Sequence, residues 1–178
     1  MYLLIIDSCY NTGRLYEKSL ELLAGADIQF TRSNRLDVAL CRNHNIALVF
    51  LPAADIPRFV GEGNIDLGIT GQDMVAEAEG QGELIEEALA LGFGKCKLQV
   101  QVPEASGVKT AEELLGKKVV TSFEHVAGEY FGKLDKQKGT KTIIEYIGGS
   151  VEAACALGVA DGIVDLVGSS SPASIEHS

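Results

Sequence analysis

The chain has no tryptophan and only six phenylalanines and five tyrosines in 178 residues. A wall of stacking rings for single-stranded nucleic acid is therefore not expected. Basic residues are also scarce: 15 Lys and Arg stand against 25 Asp and Glu, a formal net charge of −10. That balance argues against duplex DNA or an anionic membrane surface as a partner. It leaves room for a small anionic ligand met by a few converging basic groups. The cysteines Cys9, Cys41, Cys96 and Cys155 form no C-x-x-C pair, and His44, His125 and His177 are scattered. No spacing suits a zinc site, and the thiols read as reduced residues of a cytosolic protein. No apolar run reaches the length of a membrane span. The opening MYLLIIDSCYN has no basic region, and Asp7 interrupts it, so it reads as a first core strand rather than a leader. A cytoplasmic location is expected by default.

What is present is an ordinary globular composition, 46% hydrophobic and 22% charged, in a chain long enough to bury a core. Apolar runs of strand length alternate with helical patterns. The runs predict strands over Leu3–Asp7, Ile28–Arg32, Val38–Cys41, Ala47–Leu51, Leu67–Thr70, Leu98–Val102, Lys118–Ser122, Thr142–Ile147 and Gly162–Val167. Helices are predicted over Arg14–Ala24, Ile56–Glu62, Gln72–Glu79, Ala111–Leu115, His125–Leu134 and Val151–Leu157. This alternation is that of an α/β protein with parallel sheets covered on both faces. Thr110, Ser150 and Asp55 stand where helix caps belong, and Gly116 and Gly158 stand where left-handed residues end helices. The chain also echoes itself. Gly63-Asn64-Ile65-Asp66-Leu67-Gly68-Ile69-Thr70-Gly71 parallels Gly158-Val159-Ala160-Asp161-Gly162-Ile163-Val164-Asp165-Leu166. Each has a glycine, an aspartate three residues on, then an apolar strand. The echo implies two lobes of similar build, divided near Gly92-Phe93-Gly94-Lys95, with ligand sites beyond the carboxyl ends of strands.

Several residues along this frame carry chemistry. Gly13-Arg14 opens the first helix, where amides and a guanidinium can meet a phosphate; the plain alternative is a solvated arginine. Arg32 and Arg35 flank a strand end and can clamp a polyphosphate, or simply face water. Asp66, Gly68, Thr70 and Gly71 combine close backbone approach with a hydroxyl. Lys97 opens the second lobe. Ser122, Ser150, Glu152, Asp161, Asp165, Ser169 and Ser170 combine hydroxyls and carboxylates, which suit a ribose and a hydrated Mg²⁺ that keeps its waters. Asp165 sits between Val164 and Leu166 in so apolar a run that its carboxylate needs a reason.

Together, Gly13-Arg14-Leu15, Arg32-Ser33-x-Arg35-Leu36-Asp37, Asp66–Gly71, Gly149–Ala153 and Ala160–Val167 resemble ATP phosphoribosyltransferase, the first enzyme of histidine biosynthesis. The resemblance runs in order over nearly Arg14–Val167. It implies a two-lobed architecture like type II periplasmic binding proteins, with catalytic lobe I over 1–93, lobe II over 94–167 and a polar tail over 168–178. It implies attack of N1 of ATP's adenine on C1 of phosphoribosyl pyrophosphate, with Mg²⁺-bound pyrophosphate leaving. On this reading Arg14, Glu152 and Asp165 are catalytic. Gly13, Arg32, Arg35, Asp66, Gly68, Thr70, Gly71, Lys97, Ser122, Ser150, Ser169 and Ser170 bind substrate, and Mg²⁺ is held mainly by pyrophosphate rather than by protein.

The chain departs from the family's pattern in places. Thr12 replaces a basic residue before Gly13, which removes one positive charge from the polyphosphate site. The phosphate loop reads Gly168-Ser169-Ser170-Ser171-Pro172, with serine in place of a glycine and proline in place of a threonine. The family's return to the first lobe is absent, so that lobe is expected to carry an incomplete sheet with an exposed edge. Homo-oligomerisation or association with full-length subunits is expected. A non-catalytic nucleotide- or sugar-phosphate-binding module, or an interaction fragment, is the alternative function.

Overall fold

The structure, a computed structural model, describes residues 1–7, 14–32, 37–78, 80, 83–149 and 151–168, with side chains for all of these except 5–7 and 14–15. The chain divides into two compact units, Met1–Gly94 and Lys95–Ser178. Two glycines near the division, Gly92 and Gly94, hold φ angles of 75° and 69°, which a residue with a Cβ rarely adopts.

The first unit is built on β1 (Tyr2–Asp7), α1 (Arg14–Gly25), β2 (Val38–Leu40), β3 (Ile46–Leu51), α2 (Ile56–Gly61), β4 (Leu67–Ile69) and α3 (Gln72–Glu77). Its sheet runs β2-β3-β1-β4. Alternation along the strands sends side chains to two faces. Leu4, Leu48 and Phe50 pack with Leu23 of α1, while Leu3, Val49 and Leu51 pack with Ile56, Phe59 and Val60 of α2. Among the described residues β4 has one neighbour, β1, and its Leu67 is 51% exposed, so the sheet has an open edge there.

The second unit holds β5 (Cys96–Gln101), β6 (Lys118–Thr121), α4 (Glu124–Lys138), β7 (Ile143–Tyr146), α5 (Val151–Ala156) and β8 (Gly162–Gly168). The sheet order is β5-β8-β6-β7. Val119, Val164, Leu98 and Val100 face Ala127 and Phe131 of α4; Val120 and Ile163 face Val151 and Ala154 of α5. The carboxyl end of α4 is tied down by Asp135. Burial alone would raise its proton affinity, but hydrogen bonds from the Thr140 hydroxyl and from the Thr142 amide and hydroxyl hold it below the ordinary carboxylate value.

Five expectations need correction. The sheets are mixed, not parallel: β2 runs antiparallel to β3, and β5 antiparallel to β8. The link from β2 to β3 is short enough for a hairpin, and β5 enters its sheet without a crossover helix before it. The predicted strand Ile28–Arg32 makes only one bridge, Phe30 to Cys41. Its other backbone bonds go to turns, Ile28 to Leu23 and Arg42 to Gln29. The predicted helix Ala111–Leu115 is a single 3₁₀ turn, Ala111–Leu114. The Thr110 hydroxyl does not cap it. The Glu113 carboxylate instead accepts the Lys109 amide at 3.3 Å. Asp55 likewise makes no side-chain cap and pairs with Arg58 at 4.0 Å.

Candidate active site

The internal echo is a repeated structural device. Gly63 and Gly158 end α2 and α5 in left-handed conformations, φ 74° and 68°. Backbone bonds Asn64 to Phe59 and Val159 to Ala154 close both helices in the same way. Three residues on, Asp66 accepts the Leu3 amide of β1 at 2.7 Å, and Asp161 accepts the Lys118 amide of β6 at 3.0 Å. The Asp66 and Asp161 amides donate back to the carbonyls of Leu3 and Lys118. Both carboxylates therefore pin the amino ends of paired strands. Ligands in open α/β sheets meet the carboxyl ends. Asp66, expected to bind substrate, is thus at the wrong end of its strand for that task and serves the sheet, as does Asp161.

In the middle of β8, one residue past its last pairing with β6, stands a different group. Asp165 is half-buried, and its Oδ1 accepts the adjacent Leu166 amide at 2.7 Å. Burial raises its proton affinity, the Leu166 hydrogen bond opposes this, and the negative charge of Glu152 adds to the rise; the balance lies above the ordinary carboxylate value. The antiparallel ladder sets Gln99 opposite Asp165 and Lys97 opposite Val167. Directly opposed residues share a face. Val120 and Ile163 fix that face as the α5 side, where Glu152 sits on the first turn of α5. Ser122 follows Thr121 at the carboxyl end of β6. The Thr121 hydroxyl donates to the Val164 carbonyl at 2.7 Å and accepts the Phe123 amide at 2.9 Å, fixing the turn into α4. Three of the predicted residues, Lys97, Ser122 and Asp165, therefore lie toward one end of one sheet, and a fourth, Glu152, stands on α5 over it. Gln99 was not foreseen; no pattern in the sequence marks a glutamine on an edge strand until the pairing register is known.

The first unit divides its candidates. Thr70 follows the last residue of β4, and its buried Oγ1 has no hydrogen-bond partner among the described residues. Gly68 lies in β4 opposite Ile5. Gly71 precedes α3, where a Cβ would run into the Asp73 carboxylate. Arg32, expected to meet polyphosphate, is turned inward. Its guanidinium lies 3.9 Å from the centroid of the Phe50 ring, 3.5 Å from the Tyr16 hydroxyl and 3.7 Å from Asp37, with its side chain only 12% exposed. A stacked, shielded guanidinium knits the Ile28–Arg32 segment to β3. Arg14 begins α1, beyond the carboxyl end of β1. Gly13, Arg35, Ser150, Ser169 and Ser170 lie outside the described residues. Among the described residues no three His, Cys, Asp or Glu side chains gather as a metal site, and no helix is long and apolar enough to cross a membrane.

Comparison with known proteins gives the site a context. A family model described as HisG: ATP phosphoribosyltransferase matches residues 52–172. ATP phosphoribosyltransferase of Yarrowia lipolytica is 62% identical over 157 residues, covering 87% of this chain and 52% of that protein. The enzyme of that name from Saccharomyces cerevisiae is 56% identical over 157 residues, with the same coverage of 87% and 52%. The chain thus spans about half the length of the curated relatives it matches. The ATP phosphoribosyl transferase (HisG:HisZ) complex from Thermotoga maritima superposes with a TM-score of 0.70 at 25% identity, covering 94% of this chain and 74% of that one. The periplasmic aliphatic sulphonate binding protein SsuA of Escherichia coli shares the fold, with a TM-score of 0.52 at 18% identity over 92% of this chain and 53% of that one. The α/β, periplasmic-binding-protein-like architecture that the resemblance implied is therefore the observed one.

Proposed function

We propose, of a chain that belongs to the ATP phosphoribosyltransferase family, that residues 1–93 and 94–167 are the two catalytic lobes of a transferase joining N1 of ATP to the ribose of phosphoribosyl pyrophosphate. The observation that carries the reading is Asp165, a half-buried carboxylate in β8 one residue past its pairing with β6, with Lys97 across the ladder nearby, Ser122 just after β6 and Glu152 on α5 close enough to act on it. Asp165 accepts a ribose hydroxyl, and with Glu152 it opposes the positive charge that grows on the sugar as the pyrophosphate leaves. Lys97 and Ser122 meet phosphate oxygens. In the first lobe Thr70 and the Gly71 backbone line the nucleotide side, and Arg14 meets polyphosphate at the start of α1. Ser150, Ser169 and Ser170 extend the phosphate contacts. Mg²⁺, if bound, would supply positive charge against the pyrophosphate and would be held mainly by it rather than by residues of this chain. A cytoplasmic location and association with further subunits belong to the same reading.

The test is calorimetry of phosphoribosyl pyrophosphate with Mg²⁺, followed by absorbance of phosphoribosyl-ATP once ATP is added. Binding with turnover is the expected outcome. Binding without turnover favours the second reading, a sugar-phosphate-binding module. No binding overturns both.

A further inference from the structure

Gln99 stands directly across the β5–β8 ladder from Asp165. Its Oε1 is buried, and among the described residues it has no hydrogen-bond donor. The groups around it are mostly acceptors. Asp165 faces it from β8, and Glu152 stands on α5, close enough to act on Asp165 electrostatically. Cys155 of α5 packs in the same apolar cluster, its thiol held neutral by burial and by Asp161. β6 contributes Val120 on this face, and Lys118 there pairs with Glu145 of β7. Lys97, exposed and two residues back on β5, is a second cation on this face. A buried carbonyl oxygen that faces a carboxylate is relieved in one of two ways: a proton held between them, or a turned amide that offers Nε2 to the carboxylate. Asp165 has one oxygen engaged with the Leu166 amide, which leaves Oδ2 to carry that proton.

We propose that Gln99 is a positioning residue for Asp165: its Oε1 accepts the carboxyl O–H across the ladder in the unliganded chain. When ribose hydroxyls arrive, the proton leaves Asp165 for solvent. The carboxylate then accepts one hydroxyl and Gln99 Oε1 accepts its neighbour, so the orphan acceptor is satisfied in both states. The inference rests on the ribose reading of Asp165 for its second half only; the resting proton stands on the ladder geometry. The direction of the Asp165 shift agrees with it.

The experiment is a titration of the Asp165 carboxyl carbon by NMR in the whole chain, without ligand and then with phosphoribosyl pyrophosphate and Mg²⁺. The wild-type midpoint is expected above the ordinary value of about 3.9. Gln99→Asn, which withdraws the acceptor, is expected to lower it. Gln99→Glu, which has the same length, is expected to raise it by about one unit or more, because two carboxyls then share the proton. A wild-type midpoint at the ordinary value overturns the proposal without any variant, and so does an unchanged midpoint in Gln99→Asn. With ligand, binding is expected to lower the wild-type midpoint and release a proton, seen as a buffer-dependent binding enthalpy. Absence of any binding overturns the ribose reading, and the ligand-free titration then decides the resting proton by itself.

Discussion

Along β4 and β8 the two units keep step. Asp66 holds Leu3 where Asp161 holds Lys118. Leu67, Gly68 and Ile69 lie opposite Leu4, Ile5 and Ile6, where Gly162, Ile163 and Val164 lie opposite Val119, Val120 and Thr121. The two units diverge at the next residue, where the first carries Thr70 and the second Asp165. The amino ends thus share one solution for stability, and the carboxyl ends differ in chemistry: a hydroxyl in one unit, a carboxylate with raised proton affinity in the other. A scaffold used twice can keep its pins and place different chemistry one residue past the stretch paired with β1 or β6.

The contrast is broken most severely if the carboxyl-end acid can be lost without consequence. Asp165→Asn is expected to weaken binding of phosphoribosyl pyrophosphate about 10- to 100-fold, the scale of one charge-assisted contact. Asp161→Asn, four residues away on the same segment, is expected to leave that affinity unchanged. Calorimetry on the two variants checks this. The inward arginine comes next. Arg32→Ala is expected to cost about 2 kcal/mol through lost stacking and packing on Phe50, and Arg32→Lys is not expected to restore it, because the planar group is gone. Urea unfolding followed by far-UV circular dichroism measures both, and a fully stable Arg32→Ala would return Arg32 to the ligand side.

The pins sharpen the comparison on a smaller scale. Asp66→Ala and Asp161→Ala are each expected to cost about 1 kcal/mol, since each frees one strand amide near solvent. Equal losses are the signature of one device used twice; a loss in one variant only would make the echo coincidental. The smallest expected effect is a pH dependence. A carboxyl whose folded value is raised binds its proton more tightly in the folded chain. Its contribution is therefore fully present below the unfolded value of about 3.9 and is lost as pH rises through the folded one. Asp165→Asn should accordingly gain stability relative to wild type as pH climbs from that range to neutrality, while binding less well. Unfolding curves across that window test it, and a stability difference that does not vary with pH contradicts it.

Much of this frame was legible in residues alone. The echo around Gly63 and Gly158 exposed the repeated unit because a left-handed helix end and an apolar strand each leave a local signature. Asp165 stood out because a carboxylate within Ile163–Val167 has few cheap explanations. What local pattern could not give was partnership. Asp66 and Asp165 look alike as acids near strands, and only the register tells an amino-end pin from a carboxyl-end group. Arg32 read as a phosphate clamp because nothing nearby in sequence announces that Phe50, on another strand, takes its guanidinium. Gln99 was invisible for the same reason. The direction of β5 and β2 was missed because alternation with helices speaks for crossovers and is silent about strands that enter a sheet without one.

The central claim is that the second unit meets the sugar phosphate at the carboxyl edge of its sheet. The most direct measurement is a map of amide NMR shifts in the whole chain as phosphoribosyl pyrophosphate and Mg²⁺ are added. The account predicts movement at Lys97, Gln99, Ser122, Asp165 and Leu166, with Leu3, Asp66, Lys118 and Asp161 still. Movement confined to the amino-end set, or none anywhere, would contradict it.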